Sequence, residues 1–130
     1  MIVADASAVF DVLRRRPTAT AIEARLLGSG LAVHVPHLLD AEVAQVIRRH
    51  AAGGDIRPDR GYELLMDFLN LPLQRHPHDW LLPRVWELRH NLTAYDAVYV
   101  ALAEALGAPL VTRDARLAAA PGHSARIEMM

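Results

Sequence analysis

The chain has 130 residues, 52% of them hydrophobic, and a formal net charge of −1. One ordinary domain, residues 1–130, fits that length and a second does not. Cysteine is absent, which excludes disulfides and thiolate metal sites, and every one of the 14 basic residues is arginine. The missing lysine argues against a P-loop, a receiver domain and a haloacid-dehalogenase-type phosphatase, all of which depend on one.

Met1 to Phe10 is apolar but carries Asp5 and has no basic lead, so it does not read as a signal peptide. No apolar run approaches the roughly 20 residues that a membrane-spanning helix needs. A cytoplasmic protein without membrane contact is the expectation.

Met1 to Ala4 is a short β-branched run that ends at Asp5, and it reads as a first strand. Val9, Phe10 and Leu13 have helical spacing within Ser7 to Arg16, with Pro17 as the stop. Thr20 to Leu27 reads as a second helix closed by Gly28 and Gly30, and Leu31 to Val35 as a second strand ended by Pro36. Leu39, Val43, Val46 and Ile47 mark an amphipathic helix over Leu38 to His50. Pro58 to Leu69 is another, with Tyr62, Leu65, Met66 and Leu69 on one side. A short strand over Leu71 to Arg75 and a helix over Trp80 to Arg89 follow. Thr93 to Leu106, ended by Gly107, is the clearest helix. Leu110 to Thr112 reads as a strand, Ala115 to Ala119 as a short helix and Ala125 to Met129 as a last edge strand. Short strands alternating with helices imply an α/β fold whose central parallel sheet, of four to five short strands, is covered on both faces. Ligands in such sheets sit beyond the carboxyl ends of the strands.

Four acids stand out against that frame. Asp5 follows the first strand directly and Asp114 follows Thr112 by two positions. Asp5 has a role open to it as a helix cap, although Ser7 is placed to cap instead. Glu42 lies near a helix N-terminus, where the dipole favours an acid, but Asp40 is the better placed of the two as a cap. Asp96 sits three residues after Thr93, as in a capping box, and lines up with Val100 and Ala103 on the apolar face. Asp114 has the option of capping the short helix after it. Two acids at strand ends and two at helix starts, on one sheet edge, would repel one another unless a cation sat among them. Mg²⁺ or Mn²⁺ is the economical partner, since hard ions prefer oxygen ligands. Such an ion lowers the pKa of water, orients a phosphate and stabilises a leaving oxygen, which is the chemistry of phosphodiester hydrolysis.

The strand-terminal Asp5 with Ser7, the Pro36…Glu42 helix, the Thr93-Ala94-Tyr95-Asp96-Ala97 helix and the Leu110-Val111-Thr112-Arg113-Asp114 strand end resemble the PIN domain. They occur in its order, and a lone domain of this length is similar to the VapC toxins of toxin–antitoxin pairs. The resemblance implies a three-layer α/β/α fold and Mg²⁺- or Mn²⁺-dependent endoribonuclease activity leaving a 5′-phosphate and a 3′-hydroxyl. It also implies a VapB-type antitoxin partner and a homodimer, with no direct specific DNA binding. By position it implies Asp5 and Asp96 as the firmest metal ligands, with Glu42 and Asp114 completing the acid set. Ser7 and Thr112 are implied as their hydrogen-bonding supports.

Arg113 and Arg116, beside the acids, are candidates for RNA contact, as are Arg14, Arg15, Arg16, Arg48 and Arg49. His34 and His37 flank Pro36, and His76 and His78 flank Pro77; neither pair has the spacing of a zinc site, and all four read as loop histidines. Leu26, Tyr62, Met66 and Leu69 are left as core or interface. A PIN nuclease of RNA processing without an antitoxin, and a non-catalytic α/β binding module whose acids only cap helices, are the alternative readings.

Overall fold

A computed structural model describes residues 1–130. Five strands, β1 (Ile2–Ala4), β2 (Val33–Pro36), β3 (Leu73–His76), β4 (Leu110–Thr112) and β5 (Ile127–Met129), form one sheet in the order β3-β2-β1-β4-β5. All four pairings are parallel. The helices are α1 (Ala6–Arg14), α2 (Thr20–Leu27), α3 (Leu38–Ala52), α4 (Pro58–Leu69), α5 (Leu82–Glu87), α6 (Ala94–Leu106) and α7 (Ala115–Ala119). No helix is long and apolar enough to cross a membrane.

The strand order sets the layers. The chain moves outward from β1 to β2 and β3, then crosses back to β4 on the other side of β1. Because parallel crossovers are right-handed, α1, α3 and α4 cover one face and α5 and α6 cover the other. Contacts follow this division, with α1 packed on α2, α3 and α4, and α5 on α6. The reversal lies between β1 and β4, and ligand crevices in open parallel sheets form at such a switch point.

Residues of β1, β2 and β4 are buried throughout, as expected for strands covered on both faces. Helix α6 is buried continuously from Ala97 to Ala103. Its alanines at 97, 101 and 103 let the backbone approach the sheet closely. Gly107 closes it with φ 61°, its N–H reaching the Ala103 and Glu104 carbonyls.

The expected boundaries shift for identifiable reasons. The first helix ends at Arg14, not Arg16, because Arg16 precedes a proline and is held extended, leaving Arg15 in the left-handed region at φ 52°. The expected helix over Trp80 to Arg89 breaks into a 3₁₀ turn (Asp79–Leu81) and the short α5, which opens with Pro83 in its first turn. On α4 the buried residues are Gly61, Leu64 and Phe68, so the Tyr62–Met66–Leu69 side faces outward. Gly61 is needed for close approach, since a Cβ there would meet Ile47 Cγ2 at 3.3 Å. His34 and His76 lie in neighbouring strands rather than loops, with Nδ1 and Nε2 2.7 Å apart.

Leu102 is fully buried whereas Tyr62 is 65% exposed. Leu102→Ala is therefore expected to lower unfolding stability by about 2–5 kcal/mol in urea titrations. Tyr62→Ala should stay within about 0.5 kcal/mol of the parent.

Candidate active site

Asp5 leaves β1 at its carboxyl end and becomes the N-cap of α1, its Oδ1 accepting from the Ala8 N–H at 3.0 Å. Ser7 does not cap in its place. The Ser7 hydroxyl donates to the same Oδ1 at 2.6 Å, and the Thr112 hydroxyl, from the last residue of β4, donates to Oδ2 at 2.5 Å. Ser7 and Thr112 then accept the backbone N–H groups of Arg113 and Asp114 at 2.9 and 3.0 Å. One buried carboxylate thus joins β1, α1, β4 and the turn after β4 in a single network. Asp5 is 7% exposed, and the same side chain caps α1 and anchors this network.

Asp96 stands in the first turn of α6, where the Thr93 hydroxyl accepts its backbone N–H at 3.2 Å. Only that half of a capping box forms, so the Asp96 carboxylate is not committed to a cap. Asp114 caps α7 through the Arg116 N–H at 2.8 Å. Glu42 is half-buried on α3 and accepts the Tyr99 hydroxyl at Oε1, 2.5 Å away. Asp40 does not cap α3; it pairs with Arg75 at 2.8 Å.

Burial raises the pKa of Asp5, Glu42 and Asp96 above the ordinary carboxylate range, and neighbouring acids raise it further. Asp114 acts on Asp5 and Asp96, and Glu42 feels both Asp96 and Asp5. The four acids therefore stand within electrostatic reach at the switch point. At Asp96 the Thr93 hydroxyl, and then Arg116, partly offset the effect. The Tyr99 hydroxyl is pushed up by burial and then by Glu42, so it remains a donor.

Tyr99 is the member that the sequence reading did not pick out. Its signal was present, since Tyr99 lies three residues after Asp96 and so on the same helical face. Of the candidate RNA-binding arginines, Arg113 is paired with Asp11 at 2.8 Å, while Arg116 is almost wholly exposed beside Asp114.

No three Asp, Glu or His side chains are drawn together into a ready coordination set. Both Asp5 oxygens already accept hydrogen bonds, and Glu42 gives one oxygen to Tyr99. This donor set fits Mg²⁺ or Mn²⁺ better than a tightly caged ion. Mg²⁺ keeps several waters and takes only one or two carboxylates directly.

The PIN domain model matches residues 2–122. The chain belongs to the PIN-domain family. It is 41% identical over 130 residues to ribonuclease VapC12 of Mycobacterium tuberculosis, covering 100% of this chain and 99% of that protein. It is 44% identical over 117 residues to VapC ribonuclease Mb0985 of Mycobacterium bovis, covering 90% and 88%. The crystal structure of VapBC2 from Rickettsia felis, bound to a DNA fragment from their promoter, superposes with a TM-score of 0.73 at 17% identity, covering 99% of this chain and 98% of that one. At that identity the likeness concerns the fold alone. This PIN domain keeps the central parallel sheet and flanking helices expected from the sequence.

The raised carboxyl pKa values carry a sign for stability. A raised native pKa means that the ionised form is penalised in the fold, a cost present above that pKa and relieved as pH falls below it. Asp96→Asn is expected to raise the thermal unfolding midpoint at pH 7. That gain should shrink toward about pH 4, where the wild-type carboxyl also protonates.

Proposed function

We propose that this PIN domain, residues 1–130 acting as one unit, is a Mg²⁺- or Mn²⁺-dependent endoribonuclease serving as the toxin of a VapBC-type pair. The observation that carries the reading is the chain of acids at the sheet's switch point, where Asp114 bears on Asp5 and Asp96, and Asp5 and Asp96 bear on Glu42. Full-length likeness to proteins named VapC ribonucleases supports the substrate class.

Asp5 and Asp96 are the principal ligands in this reading, with Glu42 and Asp114 completing the acid set. When bound, the ion neutralises the acids, lowers the pKa of water and draws charge from the phosphodiester. Ser7 and Thr112 orient both oxygens of Asp5, so its ligand direction is set before substrate arrives. Tyr99 orients Glu42 by donating its hydroxyl to Oε1. With its pKa raised, Glu42 is also the acid suited to taking a proton from the attacking water.

Substitution of Asp5 or Asp96 by Asn should abolish cleavage of single-stranded RNA in Mg²⁺ or Mn²⁺ without unfolding the protein. Wild-type cleavage by either variant would overturn the site. Metal binding has its own readout in thermal unfolding. Stabilisation should reach about 2.7 kcal/mol when free Mg²⁺ is about 100 times its Kd, and the Asp5→Asn/Asp96→Asn double variant should lose it.

An antitoxin and a homodimer complete the proposal. The exposed Tyr62 and Leu69 of α4, and Trp80, Leu82 and Trp86 around α5, are apolar surface suited to protein contact. The acidic site calls for a basic side chain from the antitoxin. A structure of the complex should therefore show an arginine or lysine of the partner against the acids; carboxylates open to solvent in that complex would contradict the proposal.

A further inference from the structure

Beside the acids lies a cavity of about 320 Å³ that shares only Glu42 with the proposed chemistry. Leu38 and Val46 of α3 and Tyr95 of α6 form its apolar walls, and Glu42, Gln45 and Arg49 supply its polar atoms. Leu38, Glu42, Gln45 and Arg49 follow one another at four-, three- and four-residue steps, so they form one stripe along α3. Tyr95 immediately precedes Asp96 and is 63% exposed. Arg49 is exposed and has no ion-pair partner, unlike Arg14, Arg75 and Arg113. It stands about 10 Å along the helix axis from Glu42.

We infer that this cavity is a nucleobase subsite, holding the base of an RNA nucleotide next to the scissile phosphate. The inference rests on the ribonuclease reading and extends it to substrate recognition. An aromatic wall offers a stacking platform that any base can use. Gln45 has both a donor and an acceptor for a base edge. Arg49 supplies the positive charge that a polyanion needs beside these carboxylates. An apolar peptide side chain would use the walls but not Gln45 or Arg49, which is why the base is favoured as occupant. Glu42 belongs to both the cavity and the acid site, so a nucleotide seated here has its phosphate delivered to the acids.

The test is fluorescence anisotropy with a labelled single-stranded RNA of mixed sequence, in the Asp5→Asn background that prevents turnover. Tyr95→Ala should weaken binding about 5- to 100-fold, and Tyr95→Phe should bind like the background. Arg49→Ala should lower the slope of log affinity against log salt by about 0.7, a change that a purely structural role would not produce. In the otherwise wild-type enzyme, Gln45→Ala should relax base preference at one position beside the cut. If Tyr95→Ala binds RNA as its background does, the inference is overturned, and the cavity falls to a side chain of a protein partner. Cleavage by the wild type would then still stand. If the wild type neither binds nor cleaves RNA, the ribonuclease reading and this subsite fail together.

Discussion

The Thr112 hydroxyl donating to the Asp5 carboxylate joins the ends of β1 and β4 at the place where the sheet reverses its order. Ser7 closes the same network from α1 and also holds the Arg113 N–H of the turn beyond β4. A buried carboxylate without such partners would be costly, because burial penalises its ionised form. Here three donors reach it, so the charge is held in place although its pKa remains raised. The acids of this sheet edge take their position from that arrangement. Asp114 follows from the turn, and α6 packs on β1 and β4 with Asp96 at its start.

This edge works against stability. Three carboxylates are partly or largely buried here, and neighbouring acids add to the cost of ionising each: Asp114 at Asp5, Asp114 and Asp5 at Asp96, and Asp96 and Asp5 at Glu42. The strain is local. Elsewhere, acids are paired in the ordinary way: Glu104 with Arg84 at 3.0 Å and Glu128 with Arg25 at 2.9 Å, which keeps both carboxyls below their ordinary pKa range. Arg84 is engaged at the far end of α6, Arg25 and Arg126 at the β5 edge, and Arg113 and Arg75 on Asp11 and Asp40, while within the acid set only Asp114 has an arginine partner, the exposed Arg116.

Much of this was legible in the sequence. Strand-end acids need only the chain order to be recognised, and the α2, α4, β4 and α7 ranges follow from proline, glycine and apolar spacing alone. The capping of α1 was not legible, because Asp5 and Ser7 are both good caps and only the backbone direction after Ala4 selects between them. Which face of α4 turns inward was open for a similar reason. That helix has apolar residues on two sides, and which side turns inward depends on α3 and the tight Gly61–Ile47 approach. His34 and His76 are 42 residues apart, so no local pattern indicates that their rings meet.

The sequence by itself determined the alternation of strands and helices, the carboxyl-end positions of Asp5 and Asp114, and the family to which the chain belongs. Those are properties of short-range order, set by turn chemistry, residue size and hydrophobic period. Tertiary structure alone decided that Thr112 and Ser7 converge on one carboxylate, that Tyr99 reaches Glu42, and that Arg49 remains unpaired while Arg113 does not. Such contacts depend on the crossover between β3 and β4 bringing distant segments together, and a chain's local preferences carry no record of which side chains that closure makes neighbours.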